Sequence, residues 1–153
     1  MDLKLEVVVI PVTDVDRAKK FYQEKLGWRL DADLNGEGYG KLLGFKFPAP
    51  PNFRAVQLTP PGSACSIHIG NGITQAKPGS YESTYLVTSD IEATRAELVS
   101  RGVEVSEPFH YSPKGHTPGV HPEHQDYNTF LAFKDPDGNS WLIQEIRKRL
   151  PGR

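Results

Sequence analysis

Asp135-Pro136-Asp137-Gly138-Asn139, followed by Ser140-Trp-Leu-Ile-Gln-Glu-Ile146, is the stretch whose reading decides the fold. Proline fixes φ and Asp-Gly-Asn tolerates positive φ, so the first five residues predict a tight turn. The β-prone run after it has the length of one strand. The arrangement has an echo 76 residues earlier, where Thr59-Pro60-Pro61-Gly62-Ser63 turns ahead of a short apolar run over 64–69. At the same offset, Asp14 opening a helical pattern over 15–26 matches Asp90 opening one over 91–101. The chain reads as one motif written twice.

Working outward, residues 3–12 begin as an alternating strand and become apolar on both faces, as a strand buried between layers does. Asp14 suits an N-cap, and Val15, Ala18, Phe21, Tyr22 and Leu26 recur at helical spacing, with Gly27 placed as a C′ glycine. Strands are predicted over 28–34, 53–58 and 64–69. Residues 35–52, rich in Gly and Pro, predict a long loop with at most one short strand at 42–47. Gly36-Glu-Gly38-Tyr-Gly40 is read as part of that loop rather than a nucleotide fingerprint. The second copy predicts strands at 83–89, 103–107, 129–134 and 140–146. Between them, 109–128 is an unusual loop with His110, His116, His121 and His124, bordered by Tyr111 and Tyr127. The division expected is a first module over 1–69, a linker over 70–82, a second module over 83–147 and a tail over 148–153, together one structural domain.

Composition narrows the function classes. A chain of 153 residues, 37% hydrophobic and 24% charged, suits a globular domain. The formal net charge of -1 gives no electrostatic reason to expect nucleic acid or an anionic membrane as partner. The single cysteine, Cys65, precludes an internal disulfide and fits a reducing compartment. A charged N-terminus and the absence of a long apolar run make the cytoplasm the expected location.

Two β-α-β-β-β modules, each with Asp at its helix start, resemble the vicinal oxygen chelate superfamily of glyoxalase I, extradiol dioxygenases, fosfomycin-resistance enzymes and bleomycin-resistance binding proteins. The residues carrying the resemblance are Pro11-Val-Thr-Asp-Val-Asp-Arg-Ala-Lys-Lys-Phe-Tyr22, Leu26-Gly27 and the segment 135–145, within a match spanning about 4–147. The resemblance implies an α+β fold in which tandem modules form a half-open mixed barrel around a cavity. It also implies a homodimer and, in metal-using members, one ligand on the first and last strand of each module. Carried onto this chain, those four positions are Val7, Ser66, Ser83 and Leu142. None is His, Glu or Gln, and aliphatic chains cannot bind a metal. No cofactor is therefore expected. The fallback is a divalent Fe, Mn, Ni or Zn ion on Glu145, His121 and His124, although Glu145 stands an odd number of residues beyond Leu142 and period-two alternation turns it to the other face.

His68 and Gln144 occupy equivalent places in the two modules and share faces with positions 66 and 142, so both are expected to look into the cavity. His68 is either a satisfied core histidine or a polar anchor and general base. Val7, Val9, Tyr85 and Leu142 are the expected walls, and Tyr111 and Tyr127 could close over a planar ligand. Trp141 alternates away and should pack under a helix. Cys65 should face away from the cavity with no base to activate it. The leading expectation is a protein that binds a small aromatic or hydrophobic molecule without the usual metal. The alternative is a glyoxalase-like lyase, isomerase or ring-cleaving dioxygenase, with relocated metal ligands or metal-free acid–base catalysis through His68.

Overall fold

A computed structural model describes residues 1–152; of the predicted tail, Arg153 lies outside the described residues. Two compact units emerge. The first comprises Met1–Tyr81 together with Asp135–Asn139, and the second comprises 82–134 and the residues from 140 onward.

The first unit holds β1 (Val7–Val9), α1 (Val15–Lys20), β2 (Arg29–Asn35), α2 (Gly36–Leu43), β3 (Arg54–Thr59) and β4 (Ser66–Asn71). Its sheet runs β1-β4-β3-β2, with β1 parallel to β4 and the other pairs antiparallel. The second unit holds β5 (Thr84–Thr88), α3 (Ile91–Ser100), β6 (Phe109–Ser112), β7 (Gly115–Pro118), β8 (Phe130–Lys134) and β9 (Ser140–Glu145). Its sheet runs β5-β9-β8-β6-β7, with β5 parallel to β9. This is the α+β, twice-written module that the repeat predicts.

The matching aspartates perform one task. Asp14 accepts the Arg17 N–H at 3.0 Å, and Asp90 accepts the Ala93 N–H at 2.9 Å. Each satisfies an orphan donor of a first helical turn, a contribution of about 1 kcal/mol. α1 continues through Phe21–Lys25 as a π-helical turn, in which the Leu26 N–H reaches back to the Phe21 carbonyl at 3.1 Å. The first core is built from Ile10, Ala18, Tyr22, Val56, Leu58 and Ile69, each fully buried. Trp141 is 1% exposed and stacks on Phe133 on the side of the second sheet that meets α3, as its alternation predicts.

The turn at 135–139 is bound into the first unit. The buried Asp135 carboxylate accepts the Asp137 and Asn139 backbone N–H groups on Oδ1, and the Tyr22 hydroxyl and Asn139 Nδ2 on Oδ2, all between 2.8 and 3.0 Å. Asn139 Nδ2 also donates to the Pro11 carbonyl at 2.8 Å, and its Oδ1 accepts the Tyr81 N–H at 3.1 Å. Asp137 Oδ1 takes the Thr13 N–H, the Thr13 hydroxyl and Arg17 Nη2. The equivalent turn at 59–63 lacks Asp and Asn, and its Pro61, Gly62 and Ser63 are exposed.

Four expectations change. The strand expected over 3–12 is confined to Val7–Val9, half-buried, with residues 1–6 exposed. Residues 36–43, expected as loop, form α2, with Asn35 Oδ1 capping the Gly38 N–H at 2.9 Å and no strand at 42–47. Its glycines permit close approach, since a Cβ on Gly40 would stand 2.7 Å from the Phe45 carbonyl oxygen. The strand expected at 103–107 shrinks to one bridge between Val105 and Phe133. The loop expected at 109–128 contains the β6–β7 hairpin. Among the described residues no helix is long and apolar enough to cross a membrane.

Asn139→Ala should lower the unfolding free energy by roughly 2–3 kcal/mol, because it strips partners from the buried Asp135 carboxylate and the Pro11 carbonyl. Tyr22→Phe, which removes one bond and keeps the ring, should cost only about 1 kcal/mol. Urea denaturation of the two variants checks the order, and equal effects would contradict it.

Candidate functional site

Strand alternation gives each sheet a packed face and a face turned away from its helix. In the first unit, Ile67 and Ile69 of β4 face α1, which leaves Ser66 and His68 on the opposite side. The parallel register Val7↔Ser66 and Val9↔His68 places both valines beside them, and Gln57↔His68 adds Gln57 from β3. The edge strand β2 has a bulge between Leu30 and Ala32, with two residues opposing one. That irregularity turns Asp31 onto the same face.

These side chains are continuously bonded. His68 Nε2 lies 2.9 Å from Gln57 Oε1. Gln57 Nε2 lies 3.3 Å from Ser66 Oγ and 3.4 Å from Asp31 Oδ2. Ser66 Oγ is 2.6 Å from Thr59 Oγ1, and the Thr59 hydroxyl bonds Asp31 Oδ2. Arg29 Nε meets Asp31 Oδ1 at 2.6 Å, with the arginine side chain 72% exposed and the aspartate side chain 18% exposed. The Thr59 hydroxyl bond, then that of Arg29, holds the Asp31 carboxyl below its ordinary value. Burial pushes the His68 imidazole below its ordinary value. Asp31 and Gln57 were not among the residues singled out from the sequence. The signal for Gln57 was available, since it sits a period-two step from Ala55 and Thr59; the bulge that turns Asp31 had no sequence mark.

In the second unit the face away from α3 is aromatic. Tyr85, Val87, Phe130, Ala132, Leu142 and Gln144 share it through the β5–β9 and β8–β9 registers. The β6–β7 hairpin extends it: Phe109 stacks on Phe130 with centroids 5.5 Å apart, and His116 stacks on Phe109 at 4.6 Å. Tyr85 and Tyr111 meet Phe130 edge-on at 6.4 and 5.8 Å. Phe130 is buried at the centre, while Tyr85 and Tyr111 are more than half exposed (53% and 54%). The sequence offered a signal for this extension, because Phe-His-Tyr-Ser followed by Pro113-Lys114-Gly115 is a strand running into a turn.

The remaining expected residues are engaged by neighbouring groups. Gln144 donates Nε2 to the Tyr127 carbonyl at 2.9 Å, and the Tyr127 hydroxyl accepts the Leu150 N–H at 2.7 Å. Glu145 is 1% exposed on the helix side of β9, as alternation predicts. Its Oε1 takes the Ile91 N–H at 3.3 Å and its Oε2 lies 2.9 Å from His124 Nδ1, while Arg147 Nη2 stands 3.3 Å from Oε1. Two of the three fallback metal ligands thus meet, but beside a guanidinium. The third, His121, spends its Nδ1 on the Glu123 and Gln125 N–H groups at 3.2 and 3.4 Å. Cys65 is partly buried, and burial, then the nearby Glu6, pushes its thiol up, away from thiolate chemistry. At the family's four ligand positions stand valine, leucine and two neutral hydroxyls, and Ser66 is already bonded to Thr59 and Gln57. That donor set does not fit a metal. A hollow of about 570 Å3 lies beside α2, lined by Gly40, Phe45 and Phe47, apart from either face.

A histidine held neutral in the fold but free to titrate when unfolded makes the unfolded state bind more protons below about pH 6.5. Unfolding free energy should therefore fall as pH drops from about 7 to about 5, and His68→Gln should flatten that decline. Chemical denaturation across this range checks the sign; an unchanged slope would contradict it.

Solved structures share this fold. TnmS3, an antibiotic binding protein from Streptomyces sp. CB03234, superposes with a TM-score of 0.67 at 26% identity, covering 95% of this chain and 97% of its own. A glyoxalase/bleomycin resistance protein from Streptomyces sp. CB03234 superposes at 0.64 with 27% identity, covering 93% and 100%. The Bacillus subtilis (strain 168) protein YetH is 24% identical over 143 residues, 93% of this chain and 98% of its own. The model of the Glyoxalase/Bleomycin resistance protein/Dioxygenase superfamily matches residues 4–143, so the chain belongs to that superfamily.

Proposed function

We propose that this chain binds a small aromatic or hydrophobic molecule on the sheet faces turned away from its helices, without the metal that many superfamily members use. The observation that carries the reading is the ring cluster of the second sheet. Exposed apolar surface costs free energy in water, and a contiguous aromatic patch on a rigid sheet is a feature of binding surfaces. Tyr85 and Tyr111 offer ring faces and hydroxyls around the buried Phe130, and Leu142 completes the apolar floor. In the first unit Val7, His68 and Gln57 supply a mixed apolar and polar surface. The similarity to an antibiotic binding protein supports the same class of activity. The expected homodimer belongs to this proposal and is supported by the short edge strand β1, preceded by exposed Leu3 and Leu5; light scattering decides it. The expected cytoplasmic setting belongs here too and rests on the lone thiol.

A second reading is favoured by one observation. His68 is held below its ordinary pKa with Nε2 engaged by Gln57, the arrangement of a neutral base, so acid–base catalysis on a bound ligand is its chemistry.

Truncating Tyr85 or Tyr111 to Ala should weaken a planar fluorescent probe such as anilinonaphthalene sulfonate by about three- to tenfold each, the worth of one aromatic contact. Affinity unchanged in both variants would sink the aromatic-face reading. Elemental analysis of untagged protein should find near-zero metal, and chelator should leave the melting temperature unchanged. About one equivalent of Fe, Mn, Ni or Zn, lost with stability on chelation, would overturn the metal-free reading and direct attention to Glu145 and His124.

A further inference from the structure

We propose that the first sheet's outward face reads a hydrogen-bond donor on its ligand, an aromatic hydroxyl, which it accepts at Nδ1 of His68. The inference rests on the small-molecule reading above and names the chemistry it selects.

The direction of every proton in the network follows from its end. An ionised carboxylate can only accept, so Asp31 takes the single proton of the Thr59 hydroxyl. With that proton spent, the 2.6 Å contact between Thr59 Oγ1 and Ser66 Oγ requires Ser66 to donate. With its own proton spent, Ser66 can only accept from Gln57 Nε2 at 3.3 Å. That fixes the Gln57 amide: its NH2 faces Ser66 and Asp31, because its oxygen there would oppose the carboxylate. Gln57 Oε1 therefore points at His68, and an amide oxygen only accepts, so the proton of that 2.9 Å bond sits on His68 Nε2. A neutral imidazole carries one N–H. Nδ1 is left as a bare lone pair, with no partner among the described residues and no burial that would remove it from solvent.

The outcome is a chain whose hydroxyl and amide donors are all consumed. Thr59, Ser66 and Gln57 direct their protons toward Asp31, and the Arg29 Nε–H is also on that carboxylate, with the rest of its side chain in solvent. A ligand carbonyl or carboxylate placed against His68 Nδ1 meets a second acceptor, whereas the Arg29 Nη groups that could donate stand in solvent at the Asp31 end of the chain. A phenolic O–H finds the Nδ1 acceptor, with Val9 paired beside it to contact the ring. Burial, which disfavours the imidazolium, keeps the acceptor in its neutral form at neutral pH.

The test uses the full chain and two probes of matched shape, 2-naphthol and 2-methoxynaphthalene, titrated by fluorescence at neutral pH. Wild type should bind the naphthol about five- to tenfold more tightly, the worth of one hydrogen bond. His68→Phe should erase that preference while still binding the methoxy compound. Equal affinity in wild type would overturn the inference and leave the small-molecule reading standing. Failure of both probes to bind would overturn the two together. Should His68→Phe fail to fold, the 15N spectrum of wild-type histidines decides the point: Nε2 protonated and Nδ1 bare is the expected tautomer, and a protonated Nδ1 on His68 overturns the proposal.

Discussion

The first unit depends on one buried carboxylate. Asp135 sits in a tight turn, yet its four hydrogen bonds tie that turn to the hydroxyl of Tyr22 and, through Asn139, to the backbone at Pro11. A carboxylate taken out of water without partners costs several kcal/mol, so this one is tolerated only because every acceptor direction is used. The π-helical turn at Phe21–Lys25 belongs to the same constraint, since Tyr22 stands within it and its hydroxyl ends on Asp135. The junction from β1 into α1 is held at Pro11, Thr13 and Arg17, where β1 flanks the strand that carries His68.

Once the helix faces are packed, alternation decides the rest. Each sheet has spent half of its side chains on a core of Ile, Leu, Val and aromatic residues, and the other half is free to carry chemistry. The two units use that freedom differently. The first places a chain of polar side chains ending in an ionised Asp, while the second places stacked rings and aliphatic floor. The difference lies in residue identity and in the β6–β7 hairpin that the second unit carries, which is why membership in the superfamily fixes the architecture without fixing an activity.

The ligand positions show the same separation. Where metal-using members carry His or Glu, β1 carries Val7 and β4 carries Ser66, and the serine is drawn into a neutral hydroxyl chain. Glu145, the nearest carboxylate on the last strand, is turned to the packed side. There it caps the first turn of α3 through the Ile91 N–H and pairs with His124, a structural task that uses both of its oxygens.

Much of the fold was legible in the residues themselves. The 76-residue repeat, both capping aspartates, the burial of Trp141 and the inward turn of Glu145 follow from spacing, because capping and alternation are local rules. Locally ambiguous segments were not legible. The glycines of 36–40 argue against a helix by propensity, and α2 forms there because Asn35 caps it and Tyr39 packs on Phe47 and Phe53. The polar face of the first sheet was half visible: His68 and Ser66 follow from alternation along one strand. Asp31 and Gln57 join them only through register and a bulge, which depend on how strands pair. The sequence by itself determined the module, its duplication and its caps. Tertiary structure alone decided which polar groups meet, because hydrogen-bond order requires neighbours on different strands that lie 7 to 28 residues apart in the chain.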